Sequence, residues 1–135
     1  MSNLTTVETK AFVPAHDFAV SQQFYRDLGF TMASVGGGVA YFHFGGRSAF
    51  LLQDFYVAAL AENLQMHLQV EDAQAWFDHV QQLDLPTRYG VRAPTPLVDQ
   101  PWGMRDFAIA DPSGVCWRIA QNIPGFVPVG RTAAT

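Results

Sequence analysis

A chain of 135 residues with a formal charge of -4 and a pI near 5.3 makes one domain or two small halves around a shared core, and it carries no basic patch for nucleic acid. Hydrophobic residues make up 49% against 15% charged, which implies either a large core or apolar surface buried against a partner, and eleven Phe and three Trp favour the second. The lone Cys116 excludes an internal disulfide, no apolar run is long enough to cross a membrane, and the first residues lack the basic and apolar regions of a signal peptide, so the expectation is a cytoplasmic protein.

In chain order, Lys10–Ala15 reads as a short strand. Asp17 is a good N-cap, and Val20, Phe24 and Leu28 recur every four residues, which predicts a helix stopped by Gly29. Phe30–Val35 reads as a strand and Gly36-Gly37-Gly38 as a turn. Two further strands, Val39–Phe44 and Ser48–Gln53, flank a hairpin turn at Gly45-Gly46. The second half repeats that order. Leu64, Met66, Leu68 and Val70 alternate with Gln65, His67 and Gln69, the period of a strand with one apolar face. Asp72 caps a predicted helix bearing Trp76, Val80 and Leu83, with Pro86 just beyond its end. A strand is expected near Thr87–Val91, then a Pro-rich loop, then strands Met104–Ala110 and Val115–Gln121 around the turn Asp111-Pro-Ser-Gly114. The fold class is therefore α+β, with two βαβββ modules over about residues 8–55 and 62–123 and a loose tail from 124 to 135.

Two motifs carry a family resemblance: Asp-x6-Phe-Tyr-x3-Gly-Phe, from Asp17 to Phe30, and Gln100-Pro-Trp-Gly followed by Phe107 and by Asp-Pro-x-Gly at Asp111–Gly114. Together they resemble the vicinal-oxygen-chelate superfamily of glyoxalases, ring-cleaving dioxygenases and bleomycin-resistance proteins, and its bleomycin-resistance branch in particular. Where that branch usually has Asn after the turn glycine, this chain has Val115. The resemblance implies a concave mixed sheet, an intertwined homodimer and metal-free capture of a small molecule, such as a bleomycin-type antibiotic, in a groove at the subunit interface. Metal enzymes of the superfamily place His, Glu or Gln at four strand positions, which correspond to Lys10, Phe50, Gln65 and Arg118. Two cations and a Phe argue against a divalent ion, so no cofactor is expected.

The candidate ligand-binding residues are Phe50, Gln65, His67, Trp102 and Arg118. Phe50 would give a cavity an apolar floor. Gln65, His67 and Gln69 form a row of uncharged hydrogen-bonding groups suited to a polar ligand, and they suit a solvated sheet face equally well. His67 lacks a second metal donor at matching spacing. Arg118 fits a forked carboxylate clamp, with Lys10 as a second cation, or else an internal ion pair with a residue such as Asp106. Trp102, in a Pro-flanked loop, fits a stacking wall or a loop anchor at a dimer contact. Trp76, Trp117 and Cys116 are expected in the core, and His16 and His79 at the surface. Three functions remain open: a binding protein, an isomerase or lyase with His67 as acid–base group and Arg118 as anion clamp, and a ligand-free regulatory partner.

Overall fold

The computed structural model describes residues 2–126. It contains two four-stranded sheets. The first module runs β1 (Phe12–Pro14), α1 (Phe18–Leu28), β2 (Thr31–Gly36), β3 (Val39–Phe44) and β4 (Ser48–Gln53), and its sheet has the order β1-β4-β3-β2. A single helical turn, α2 (Ala58–Ala61), leads to the second module. That module runs β5 (Gln65–Gln69), α3 (Ala73–Leu83), α4 (Leu85–Tyr89), β6 (Val98–Asp99), β7 (Met104–Ala110) and β8 (Cys116–Asn122), with sheet order β5-β8-β7-β6. The tail expected to be loose lies, from residue 127 onward, outside the described residues.

The caps work as the sequence indicates. Asp17 accepts the Val20 N–H at 3.1 Å and Asp72 accepts the Ala75 N–H at 3.0 Å, each satisfying a donor that the first turn leaves free. Gly29 closes α1 with φ 120°, and a Cβ there would sit 3.0 Å from the Phe44 ring, so both backbone and packing call for glycine.

The strand expected near Thr87–Val91 is instead the helix α4. Asp84 in the left-handed region (φ 51°) ends α3, Pro86 sits in the first turn of the next helix where its missing N–H costs nothing, and Gly90 ends that helix at φ 68°. Tertiary contacts fix the choice. Arg88 pairs with Asp27 of α1 at 2.6 Å, the Tyr89 hydroxyl donates to the same carboxylate, and the Tyr89 ring meets Phe24 edge-on. The missing strand of the second sheet is β6, two residues long, extended by Thr95, whose N–H and hydroxyl both bond the backbone of Ala108.

Alternation decides what lies on each face. In the first sheet Val13, Ala40, Phe42, Phe50 and Leu52 are buried on the side of α1. In the second, Leu68, Phe107, Ile109, Trp117 and Ile119 are buried on the side of α3. These two inner faces meet in one aromatic cluster. Phe42 stacks on Phe50 at 5.4 Å, and Trp117 of the second module lies 5.2 Å from Phe50 and 5.6 Å from Phe30. Each sheet therefore spends its inner face on the shared core, and among the described residues no helix covers its other face.

Candidate functional site

The uncovered face of the second sheet holds most of the polar candidates. Parallel pairing of β5 with β8 sets Gln65 beside Cys116, His67 beside Arg118 and Gln69 beside Ala120, and antiparallel pairing carries the rows on to Ala110, Ala108 and Asp106. Gln65, His67 and Gln69 are exposed, and among the described residues the His67 imidazole has no hydrogen-bond partner. Arg118 is committed internally. Its Nη1 lies 3.2 Å from Asp106 Oδ2, and Gln100 Nε2 donates to the other carboxylate oxygen at 2.9 Å. Asp106 is only 1% exposed, so this pair compensates a charge that would otherwise be stranded, while about a third of the Arg118 side chain still meets solvent.

Trp102 stands 56% exposed in the turn between β6 and β7. That turn lies at the sheet edge opposite β5. Strand spacing of about 4.8 Å and a rise of about 3.3 Å per residue put it on the order of 20 Å from His67, so one chain brings Trp102 and His67 together only around an extended ligand.

The two modules enclose a cavity of about 380 Å³ where the start of β4 faces the free edge of β5. Phe30, Phe50, Met66 and Trp117 form its apolar wall, and His67, Gln69, Ser48 and Arg47 supply polar groups. Phe50 and His67 thus share one cavity, while Gln65, Arg118 and Trp102 lie outside its lining. A second, mainly apolar hollow of about 290 Å³ lies between α1 and α3, lined by Phe44, Trp76 and His79. Trp76 is half-buried: it packs against the core as expected and also lines this hollow, with its ring 5.2 Å from that of Phe44. His79 is at the surface as expected, and its Nε2–H donates to the Leu28 carbonyl at 2.8 Å, which locks α3 to the end of α1. Cys116 is half-exposed on the open face rather than buried, because its side chain alternates away from Trp117.

The family-like motifs meet one another in the interior. The Tyr25 hydroxyl donates to Asp111 Oδ2 at 2.5 Å and accepts the Trp117 Nε1–H at 2.8 Å. Asp111 Oδ1 accepts the backbone N–H groups of Ser113 and Val115, each at 2.9 Å, and so shapes the Asp-Pro-Ser-Gly turn. Burial raises the Asp111 carboxyl above the usual carboxylate range against the opposing pull of these bonds, and burial beside that carboxylate pushes the Tyr25 phenol well above 10. These residues join module to module and make no part of either open face.

A family model described as the glyoxalase/bleomycin resistance protein/dioxygenase superfamily matches residues 10–119. The chain belongs to that superfamily.

Among solved structures, the superfamily fold is shared with a bleomycin-binding protein from bleomycin-producing Streptomyces verticillus in complex with copper(II)-bleomycin, at 22% identity and a TM-score of 0.72 over 87% of this chain and 97% of that one. A bleomycin resistance determinant encoded on the transposon Tn5 is similar at 21% identity and a TM-score of 0.72, over 87% and 98% of the two chains. A lactoylglutathione lyase from Agrobacterium tumefaciens is similar at 18% identity and a TM-score of 0.60, over 87% and 95%. A comparison with curated sequences finds no match.

The four positions that the resemblance matched to metal ligands, Lys10, Phe50, Gln65 and Arg118, do not present a donor set for a divalent cation. Lys10 lies just before β1, bound to Glu8 at 2.7 Å and over the Tyr41 ring at 5.2 Å. Phe50 is 1% exposed and packed among rings. Arg118 is paired with Asp106, and Gln65 alone presents a neutral oxygen. A divalent ion needs several anionic or imidazole donors converging on one point, and no group of three or more His, Cys, Asp or Glu side chains meets that need among the described residues.

Proposed function

We propose that this protein is a metal-independent small-molecule binding protein of the antibiotic-sequestering kind. The observation that carries the reading is the state of the four metal-ligand positions: two cations tied to their own carboxylates, one buried ring and one exposed amide. Such a site has no donor set for a Lewis-acid ion, but it retains surface for recognition. His67, Gln65 and the free part of Arg118 offer hydrogen bonds on the open face, and His67, Gln69 and Ser48 line the neighbouring cavity. The likeness to bleomycin-binding proteins supports a bleomycin-type ligand.

A homodimer belongs to this reading. Phe12 is 54% exposed on the open side of the first sheet, and Val98 and Trp102 are exposed on the second module. A second copy that lays one open sheet against the other would cover these side chains and enclose the ligand, and would place Trp102 as a wall without requiring it to reach His67 of its own chain.

The test is a tryptophan-fluorescence titration of chelator-treated protein with metal-free bleomycin, followed by mass spectrometry of the recovered drug. Saturable quenching with unchanged drug is the expected result. A second reading, an isomerase or lyase, draws on the unpartnered His67 imidazole beside the Arg118 guanidinium. Ligand recovered in altered form would establish that reading over sequestration.

A further inference from the structure

The turn Gln100-Pro-Trp-Gly103 presents Trp102 at 56% exposure, yet the backbone on either side of that ring is tied down. The Gly103 N–H donates to the Gln100 carbonyl at 3.0 Å and the Gln100 N–H to the Met104 carbonyl at 2.7 Å. Pro101 fixes one backbone angle between them. The Gln100 side chain anchors the start of the turn, through its Nε2 donation to Asp106 at 2.9 Å, and Asp106 in turn holds Arg118. The end of the turn is held from β8. The Ile123 N–H, just past that strand, donates to the Gly103 carbonyl at 2.9 Å, and three residues on the Phe126 ring lies directly on Gly103. A Cβ at Gly103 would stand 2.6 Å from Phe126 Cγ, and Gly103 also has φ 93°. The glycine of this motif therefore serves the ring that covers it as well as the turn.

We infer that Phe126 is a positioning residue: its ring, seated on Gly103, fixes the turn so that Trp102 stands ready as a preformed ligand wall. The inference rests on the small-molecule reading above, in which Trp102 contacts the ligand. An exposed turn is ordinarily mobile, and a mobile indole would have to be immobilised at the moment of binding. A turn ordered in advance removes that cost from the binding step, a gain of about fivefold in affinity for one rotamer-rich aromatic side chain.

The experiment uses full-length protein labelled with 5-fluorotryptophan, whose three fluorine resonances report Trp76, Trp102 and Trp117 separately, with that of Trp102 assigned by its loss in Trp102→Ala. Phe126→Ala should shift and narrow the Trp102 resonance and leave those of Trp76 and Trp117 in place. The same variant should bind metal-free bleomycin about fivefold more weakly. Phe126→Leu, which keeps an apolar group over Gly103, should restore most of both properties. Because Phe126 acts only through Trp102, the double variant Trp102→Ala/Phe126→Ala should bind within about twofold of Trp102→Ala alone. An unchanged Trp102 resonance in Phe126→Ala, or losses of affinity that add in the double variant, would overturn the inference. Wild type that gives no response to bleomycin defeats the bleomycin reading alone, and the Trp102 resonance then decides the positioning role.

Discussion

Tyr25→Phe removes one oxygen atom and keeps the ring that packs on Phe50 and Trp117, so it isolates what the hydroxyl contributes. That oxygen is donor to Asp111 at 2.5 Å and acceptor from Trp117 at 2.8 Å, and the three residues are 0%, 1% and 3% exposed. Without it the indole N–H has no acceptor and one carboxylate oxygen loses its only side-chain donor. A buried polar group left unpaired costs about 1–3 kcal/mol, so two of them sum to about 3 kcal/mol, nearer the low end because Asp111 Oδ1 keeps two backbone donors. At about 3–4 °C of Tm per kcal/mol for a domain of this size, calorimetry should show a fall of about 10 °C. Ligand affinity should stay within about twofold, because the hydroxyl touches neither open face and burial costs act on stability. A fall of less than about 3 °C would refute the argument, since it would mean that the hydroxyl bonds contribute little net energy to joining the modules.

Arg118→Gln leaves the buried Asp106 carboxylate with Gln100 as its one side-chain partner and should cost about 2 kcal/mol in urea unfolding, less than a fully buried pair because Arg118 is partly exposed. Asp106→Asn combined with Arg118→Gln should recover about half of that loss by removing the stranded charge; no recovery would speak against the ion pair as the cause. Gly29→Ala should lower stability by about 1–2 kcal/mol, through φ 120° and the Phe44 ring 3.0 Å from the added carbon, and a neutral result would show that the ring moves freely. Burial and the Asp27 carboxylate push the Tyr89 phenol up to about 12. Since its folded value lies above the unfolded one, the associated stability is full below pH 10 and lost as pH rises toward about 12. The urea midpoint should therefore fall over that range in wild type and fall less in Tyr89→Phe; parallel curves would count against it.

Alternation made the sheets legible. The period of two from Leu64 to Val70 correctly assigned one apolar and one polar face to β5, and the Asp caps marked both long helices. Where propensity competed with distant contacts, the sequence pattern was not enough: Thr87–Val91 has the composition of a strand, but Asp27, sixty residues earlier, draws Arg88 and Tyr89 into a helix. The site was half legible. Gln65, His67 and Arg118 do share one face, and the alternative of an internal pair between Arg118 and Asp106 is the arrangement found. Trp102 was read from its motif and its Pro-flanked loop, but no local signal tells which sheet edge a turn occupies. The motif residues Tyr25, Asp111 and Trp117 signalled the family while their joint role, one hydrogen-bonded network spanning the two modules, depends on contacts about ninety residues apart.

The central claim is that ligand capture proceeds without a metal. Isothermal titration calorimetry of metal-free bleomycin into protein stripped with a strong chelator tests it most directly. The account predicts saturable binding near one ligand per chain, with the same affinity after zinc, nickel or manganese is added back to the protein alone and the excess removed. Binding or turnover that appears only after one of those ions is restored would contradict it.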